Sequence, residues 1–141
     1  MAPGGVLLLQ SRDDAGVSSA TGPGERVAAR CPGHPTTIAH DRRPLTADQL
    51  RNALALGNIV LRYHGTRPPA ALRSLQDQLT GPFDAEIAAA GQAVILAPGA
   101  AIGFEALAWG RRQRARSASD SQLRAFTEAW LGEGAPKPCP S

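Results

Sequence analysis

Aromatic side chains are scarce in this chain: three Phe, two Trp and one Tyr make up 4% of its 141 residues. A core built from such a sequence is aliphatic, and no run of aromatics interleaved with basic residues offers a platform for stacked bases. Charge is low as well, at 19% Asp, Glu, Lys and Arg, with a net of +3. That bias is too small and too scattered to argue for nucleic acid, which is therefore excluded as an expected partner. The N-terminal apolar run, Val6 to Leu9, is far shorter than the ~18 residues of a membrane span. It also falls short of the roughly 7 residues of a signal-peptide core. No G-x-S-x-G, P-loop or G-x-G-x-x-G pattern occurs, so the common nucleophile and phosphate-loop motifs are missing.

Cysteine is limited to two residues, Cys31 and Cys139, each followed by proline. An even count, one at each end of the expected domain, predicts a single Cys31–Cys139 disulfide in an oxidising compartment. The competing reading is two unrelated thiols.

What is abundant is glycine and proline, fifteen and twelve residues, unevenly placed. Residues 1–30 are rich in Gly, Ser, Ala and charge without any period, and read as a disordered tail or tether. Two readings of the apolar stub stay open: part of that tail, or the end of a membrane anchor lying upstream of this chain. Residues 31–141 read as one α+β domain.

Within the domain, Thr46 and Gln49 form a capping box ahead of a helix carrying Leu50, Ala53 and Leu54 on one face. Gly57 supplies its left-handed stop, and Ile59 to Leu61 form a buried strand. Pro68 and Pro69 open a second helix, whose Leu72, Leu75 and Leu79 share a stripe. Residues 83–91 are a helical turn or a structured loop. Strands follow at 93–97 and 104–109, joined by a short turn that predicts a hairpin. Ser119 and Gln122 read as a second capping box, before a helix with Leu123, Phe126, Trp130 and Leu131 on one face. The expected fold is a two-layer α+β domain, with a small, mainly antiparallel sheet and helices mainly on one face. If the third strand inserts between the first two, this is a ferredoxin-like split βαβ unit; the alternative order puts the second strand in the middle.

The densest charge is Arg111, Arg112, Arg114 and Arg116, which reads either as an anion-binding patch for phosphate, anionic headgroups or an acidic partner, or as a solvated strand-to-helix connection. His34, His40 and His64 are scattered, and Cys31 to His34 is the single thiol–imidazole pair at close spacing. No second pair at metal-ligand spacing accompanies it. A proline-flanked cysteine in coil lacks the setting that makes a reactive thiolate. Trp109 and Trp130 read as core and core rim. These residues predict no catalytic group, no metal site and no cofactor.

The segments ALALGNIVLRY, AVILAP, ALAWGR and a helix with LRAF, spread from Leu45 to about Gly132, resemble a bacterial envelope family catalogued as domain of unknown function 3105. Members are typically held by one N-terminal membrane anchor. The family carries a segment like H-x-L-E-H-G before its first strand. Here its two histidines fall on Asn52 and Leu56, and its glutamate on Ala55. The resemblance thus implies an envelope scaffold whose histidine motif is lost. On this reading the chain is a non-catalytic binding or interaction module of the cell envelope, with an unknown protein or an anionic surface as partner. The alternative is an extracytoplasmic protein handling zinc or copper. Leu56, a large apolar group in place of a ligand, is expected to pack inward or against a neighbour.

Overall fold

A computed structural model describes residues 21–140. Five strands and four helices follow one another as β1 (Glu25–Arg26), α1 (Ala47–Leu56), β2 (Ile59–Tyr63), α2 (Ala70–Leu79), α3 (Ala85–Ala89), β3 (Val94–Pro98), β4 (Phe104–Ala108), β5 (Arg111–Ala115) and α4 (Ser121–Trp130). The strands form one sheet in the order β1-β5-β4-β2-β3. Only the β2–β3 pair is parallel; the other three pairs are antiparallel. The α+β class and the mainly antiparallel sheet are as the sequence predicts.

The local signals act where they stand. Thr46 and Gln49 close a reciprocal capping box on α1, and Gly57 ends it at φ 116°. Asn58, fully buried, then welds three elements. Its amide donates to the Ala53 and Ala88 carbonyls at 3.0 and 2.8 Å, and its oxygen accepts from the Ala93 N–H at 2.9 Å. Backbones meet closely beside it. A Cβ on Gly91, whose φ is 76°, would come within 1.8 Å of the Leu56 carbonyl oxygen, so only glycine fits there.

Strand alternation divides the core. Ile59, Leu61 and Tyr63 join Val94, Leu96, Ala106 and Ala108 under α2 and α4, with Leu72, Leu75, Leu123 and Phe126. Val60, Ile95, Ala97 and Leu107 face the other way, under Ala53 of α1, Ala88 of α3 and Ile38. Helices therefore cover both faces, not mainly one. The physical reason is period 2: β2 and β3 are apolar at every early position, as strands buried on both sides are.

The strand order also differs from both orders expected. β2 is central, with β3 parallel on one side and β4 antiparallel on the other. The split βαβ arrangement and the β3–β4 hairpin are thereby corrected. Residues 99–103 do not turn back on β3. They step across the end of β2, where the Tyr63 carbonyl accepts from the Gly99 and Ala100 N–H groups at 3.0 and 3.1 Å. The true hairpin joins β4 to β5 through Trp109 and Gly110, pairing Ala108 with Arg111. The arginine run is thus mostly a strand, not a connection. The helix after it is capped by Asp120, whose side chain accepts from the Gln122 N–H at 2.9 Å, rather than by Ser119.

The domain begins before residue 31. Glu25 and Arg26 pair with Arg112 and Arg111, and the Trp130 indole N–H donates to the Pro23 carbonyl at 2.9 Å. The remainder of the expected tail, residues 1–20 with the apolar stub, lies outside the described residues. No described helix is long and apolar enough to cross a membrane. The expected disulfide is present: Cys31 and Cys139 are bonded, with Cα atoms 5.6 Å apart.

Tyr63 is fully buried and its hydroxyl has no hydrogen-bond partner among the described residues. Burial, and then the charge of Asp41, push its pKa above the usual phenol value. The folded state therefore holds the phenol proton more tightly than the unfolded chain. Stability is intact below the unfolded value of about 10 and falls as pH rises past it. Because this is the only tyrosine, Tyr63→Phe isolates the effect. The variant should be neutral or slightly stabilised near pH 8, with a shallower loss toward roughly pH 11. Urea midpoints at both pH values check this; an equal alkaline loss in the two proteins would contradict it.

Candidate ligand cleft

Helix α1 stands between two openings on its face of the sheet. Positions 50, 51 and 54 look toward the β4–β5 hairpin, and positions 52, 53 and 56 toward α3, as a 3.6-residue period requires.

The first opening is a cleft of about 330 Å³. Leu50, Arg51 and Leu54 form its α1 wall, and Leu107, Trp109 and Arg112 come from the hairpin. Arg62 and Glu105 close one side, and the extended segment from Val27 to Arg30 the other. Its origin is the sheet register: Arg62, Glu105 and Arg114 stand abreast on β2, β4 and β5, as do Leu107 and Arg112, with Glu25 of β1 opposite Arg112. α1 and α3 cover the β2–β3 half of this face and leave the β4–β5 half open.

The charges in the row are not equally committed. Glu105 lies 3.5 Å from Arg62 and 3.9 Å from Arg114. Arg112 bonds Glu25 at 3.1 Å, and that hydrogen bond and charge hold the Glu25 carboxyl below the usual range. Arg30 and the half-buried Arg51 have no acidic partner among the described residues. The cleft therefore offers two uncommitted guanidinium groups beside the apolar Leu50, Leu54 and Leu107, a pairing suited to an anionic head on an apolar body.

The second opening is an apolar groove of about 430 Å³ between α1, α3 and residues 36–39. Ala53, Ala88 and Ile38 lie in its floor, with Asn52 and Leu56 along one side. These are the two positions where the resemblance puts histidines, and the structure sets both on the same side of α1. The Asn52 amide is spent on the Thr36 carbonyl at 3.1 Å. Leu56 is not buried; it is 43% exposed and lies along the groove beside Asn52 and Ala53.

The expected anion patch is divided by strand alternation. Arg111 is buried on the opposite face, its guanidinium 4.8 Å from the centre of the Trp130 ring. Burial, then the charge of Arg26, lowers its pKa. Arg112 lines the cleft, Arg114 leans on Glu105, and Arg116 is exposed beyond the strand. The run is not one surface. Arg30, Arg51 and Arg62 were not legible as site residues, since they come from three separate segments. Trp109 belongs to the cleft rather than the core.

The histidines are not brought together. The backbone N–H of His34 donates to Asp48, and the His64 ring meets the Ala100 carbonyl at 3.2 Å. Both thiols are in the disulfide. Among the described residues no three His, Cys, Asp or Glu side chains group as metal ligands. No family model, no curated protein and no solved structure matches the chain.

Proposed function

We propose that this domain is a non-catalytic binding module of the cell envelope, and that its ligand is a small molecule with an anionic head and an apolar body, held in the cleft between α1 and the β4–β5 hairpin. The observation that carries this reading is the half-buried Arg51, without an acidic partner among the described residues, beside Leu50, Leu54 and Trp109. A guanidinium in that position is ready to take a carboxylate or sulfonate, and the aliphatic wall beside it favours an apolar tail. The compartment is supported by the disulfide, a bond that persists in oxidising surroundings, and by the resemblance to an anchored envelope family. The lost histidine motif supports binding rather than metal handling, since Asn52 and Leu56 replace the imidazoles.

The test uses anilinonaphthalene sulfonate, a fluorescent anion with an apolar body, and octanoate as competitor. The dye should bind and be displaced by octanoate. Arg51→Glu should weaken it about tenfold or more, the loss of a charge-assisted bond compounded by repulsion. Leu56→Ser, on the other side of α1, should leave it unchanged. Unaltered binding by Arg51→Glu, or loss with Leu56→Ser alone, would contradict the assignment.

A further inference from the structure

Away from the cleft, one end of the parallel β2–β3 pair gathers three arginines, with Asp41 their one acidic partner among the described residues. The β2–α2 loop and the chain before α1 enclose an opening of about 360 Å³, lined by Arg42, Thr66, Arg67, Pro68 and Arg73. Three arginines from three segments meet there. Arg67 and Arg73 are exposed and have no acidic partner among the described residues. Arg42 has one acid within reach, Asp41 at 3.8 Å, whose other oxygen already accepts from the Gln76 amide at 2.7 Å.

Each local choice here runs against stability. Arg42 is the one non-glycine residue among those described with a left-handed backbone, at φ 66°, and its N–H is held by the Leu96 carbonyl. Arg73 puts a cation in the first turn of α2, at the positive end of the helix, where an acid is favoured and none is present. Pro69 gives that helix no side-chain cap. Three guanidinium groups beside a helix N-terminus repel one another, and a doubly charged anion relieves that repulsion. Departures from local rules that gather on one spot mark function more often than accident.

We infer that this opening binds a phosphate group, with Arg42, Arg67 and Arg73 as its cationic ligands and the Thr66 hydroxyl as a further donor. Planar guanidinium forks suit phosphate oxygens. The site lies outside the carboxyl ends of two parallel strands, where open α/β sheets commonly place phosphate ligands. It is independent of the cleft beside α1, whose lining shares none of these residues.

The phosphate has two possible sources, a soluble phosphomonoester or a lipid headgroup. A neighbouring loop makes the distinction testable. The His64 ring meets the Ala100 carbonyl, and two residues further on Ile102 is 87% exposed. Ile102 is not among the residues that line the opening, so it has no part in holding a soluble ligand, whereas an exposed apolar side chain adds to the hold on a bilayer.

The experiment titrates the full chain with glycerol 3-phosphate, and separately with vesicles containing phosphatidic acid. It compares wild type with Arg67→Gln/Arg73→Gln, Ile102→Ser and, as a charge control on α4 outside both openings, Arg124→Gln. At least one ligand should bind, and the double arginine variant should weaken it about tenfold or more. Arg124→Gln should leave it unchanged. Binding of the soluble ester that survives Ile102→Ser assigns the soluble source; vesicle binding lost with Ile102→Ser assigns the lipid. No binding of either probe, or binding indifferent to Arg67→Gln/Arg73→Gln, would overturn the inference, and neither outcome bears on the cleft.

Discussion

Phe126→Ala is expected to cost ~3–5 kcal/mol, the usual range for emptying a fully buried aromatic site. Phe126 is completely buried between α4 and the sheet, among Leu61, Val94 and Leu123. The side chain has a second task. A Cβ on Gly24 would lie 2.6 Å from its ring, so the ring also seats the segment that leads into β1. Truncation should therefore loosen β1 as well as lower the urea midpoint. Faster amide exchange at Val27, whose N–H donates to the Gly110 carbonyl, reports the first effect. A loss below about 1 kcal/mol would contradict the placement of α4 against the sheet.

Removing the disulfide should be the next largest loss. Cys31 and Cys139 lie 108 residues apart in sequence, and closing so long a loop is worth up to ~4.7 kcal/mol in the chain-entropy model, with about 2–4 kcal/mol typical. The bond also has a local role. It holds together the two segments that flank α1. On one side, the Gly33 and His34 N–H groups donate to the Asp48 carboxylate at 2.8 and 3.2 Å. On the other, the Gly132 and Ala135 N–H groups reach the Gly57 and Ala55 carbonyls, both at 2.8 Å. Cys31→Ser/Cys139→Ser should lose roughly 2–4 kcal/mol in denaturant melts. The unreduced, denatured wild type should titrate no free thiol. Two free thiols, or a loss under about 1 kcal/mol in the double variant, would contradict this.

Signals carried within one element were legible. Thr46 with Gln49 and the Gly57 stop bound α1, the leucine stripe of α2 names its buried face, and two proline-flanked cysteines at the ends of the domain pair. Order between elements was not. A five-residue connection between two apolar strands looks the same whether it turns back or crosses a neighbour, and the Tyr63 carbonyl that guides the crossing is a backbone group without a sequence signature. β5 was hidden because arginine and glutamine have weak strand preference. Its alternation of Arg111, Gln113 and Ala115 against Arg112 and Arg114 becomes visible only beside β4.

The cleft was hidden for a related reason. Charge density drew attention to four arginines adjacent in sequence, and a strand sends adjacent residues to opposite faces. Arg111 went to the core beneath Trp130. Arg51 and Arg30, isolated in sequence, have no acidic partner among the described residues. The signal that could have found Arg51 is its place on α1: one step from Leu50 and three from Leu54, it interrupts the apolar face of the helix.

The most direct test of the cleft is an amide and indole NMR titration with octanoate, because the two tryptophans report opposite sides of the molecule. Trp109 lines the cleft, whereas the Trp130 indole is bonded to the Pro23 carbonyl on the far face. The Trp109 indole and the amides of Leu50, Arg51 and Leu54 should shift together along one saturating curve, with the Trp130 indole unmoved. Shifts confined to Leu56 and the α3 side of the helix, or no saturable shift at Trp109, would contradict the account.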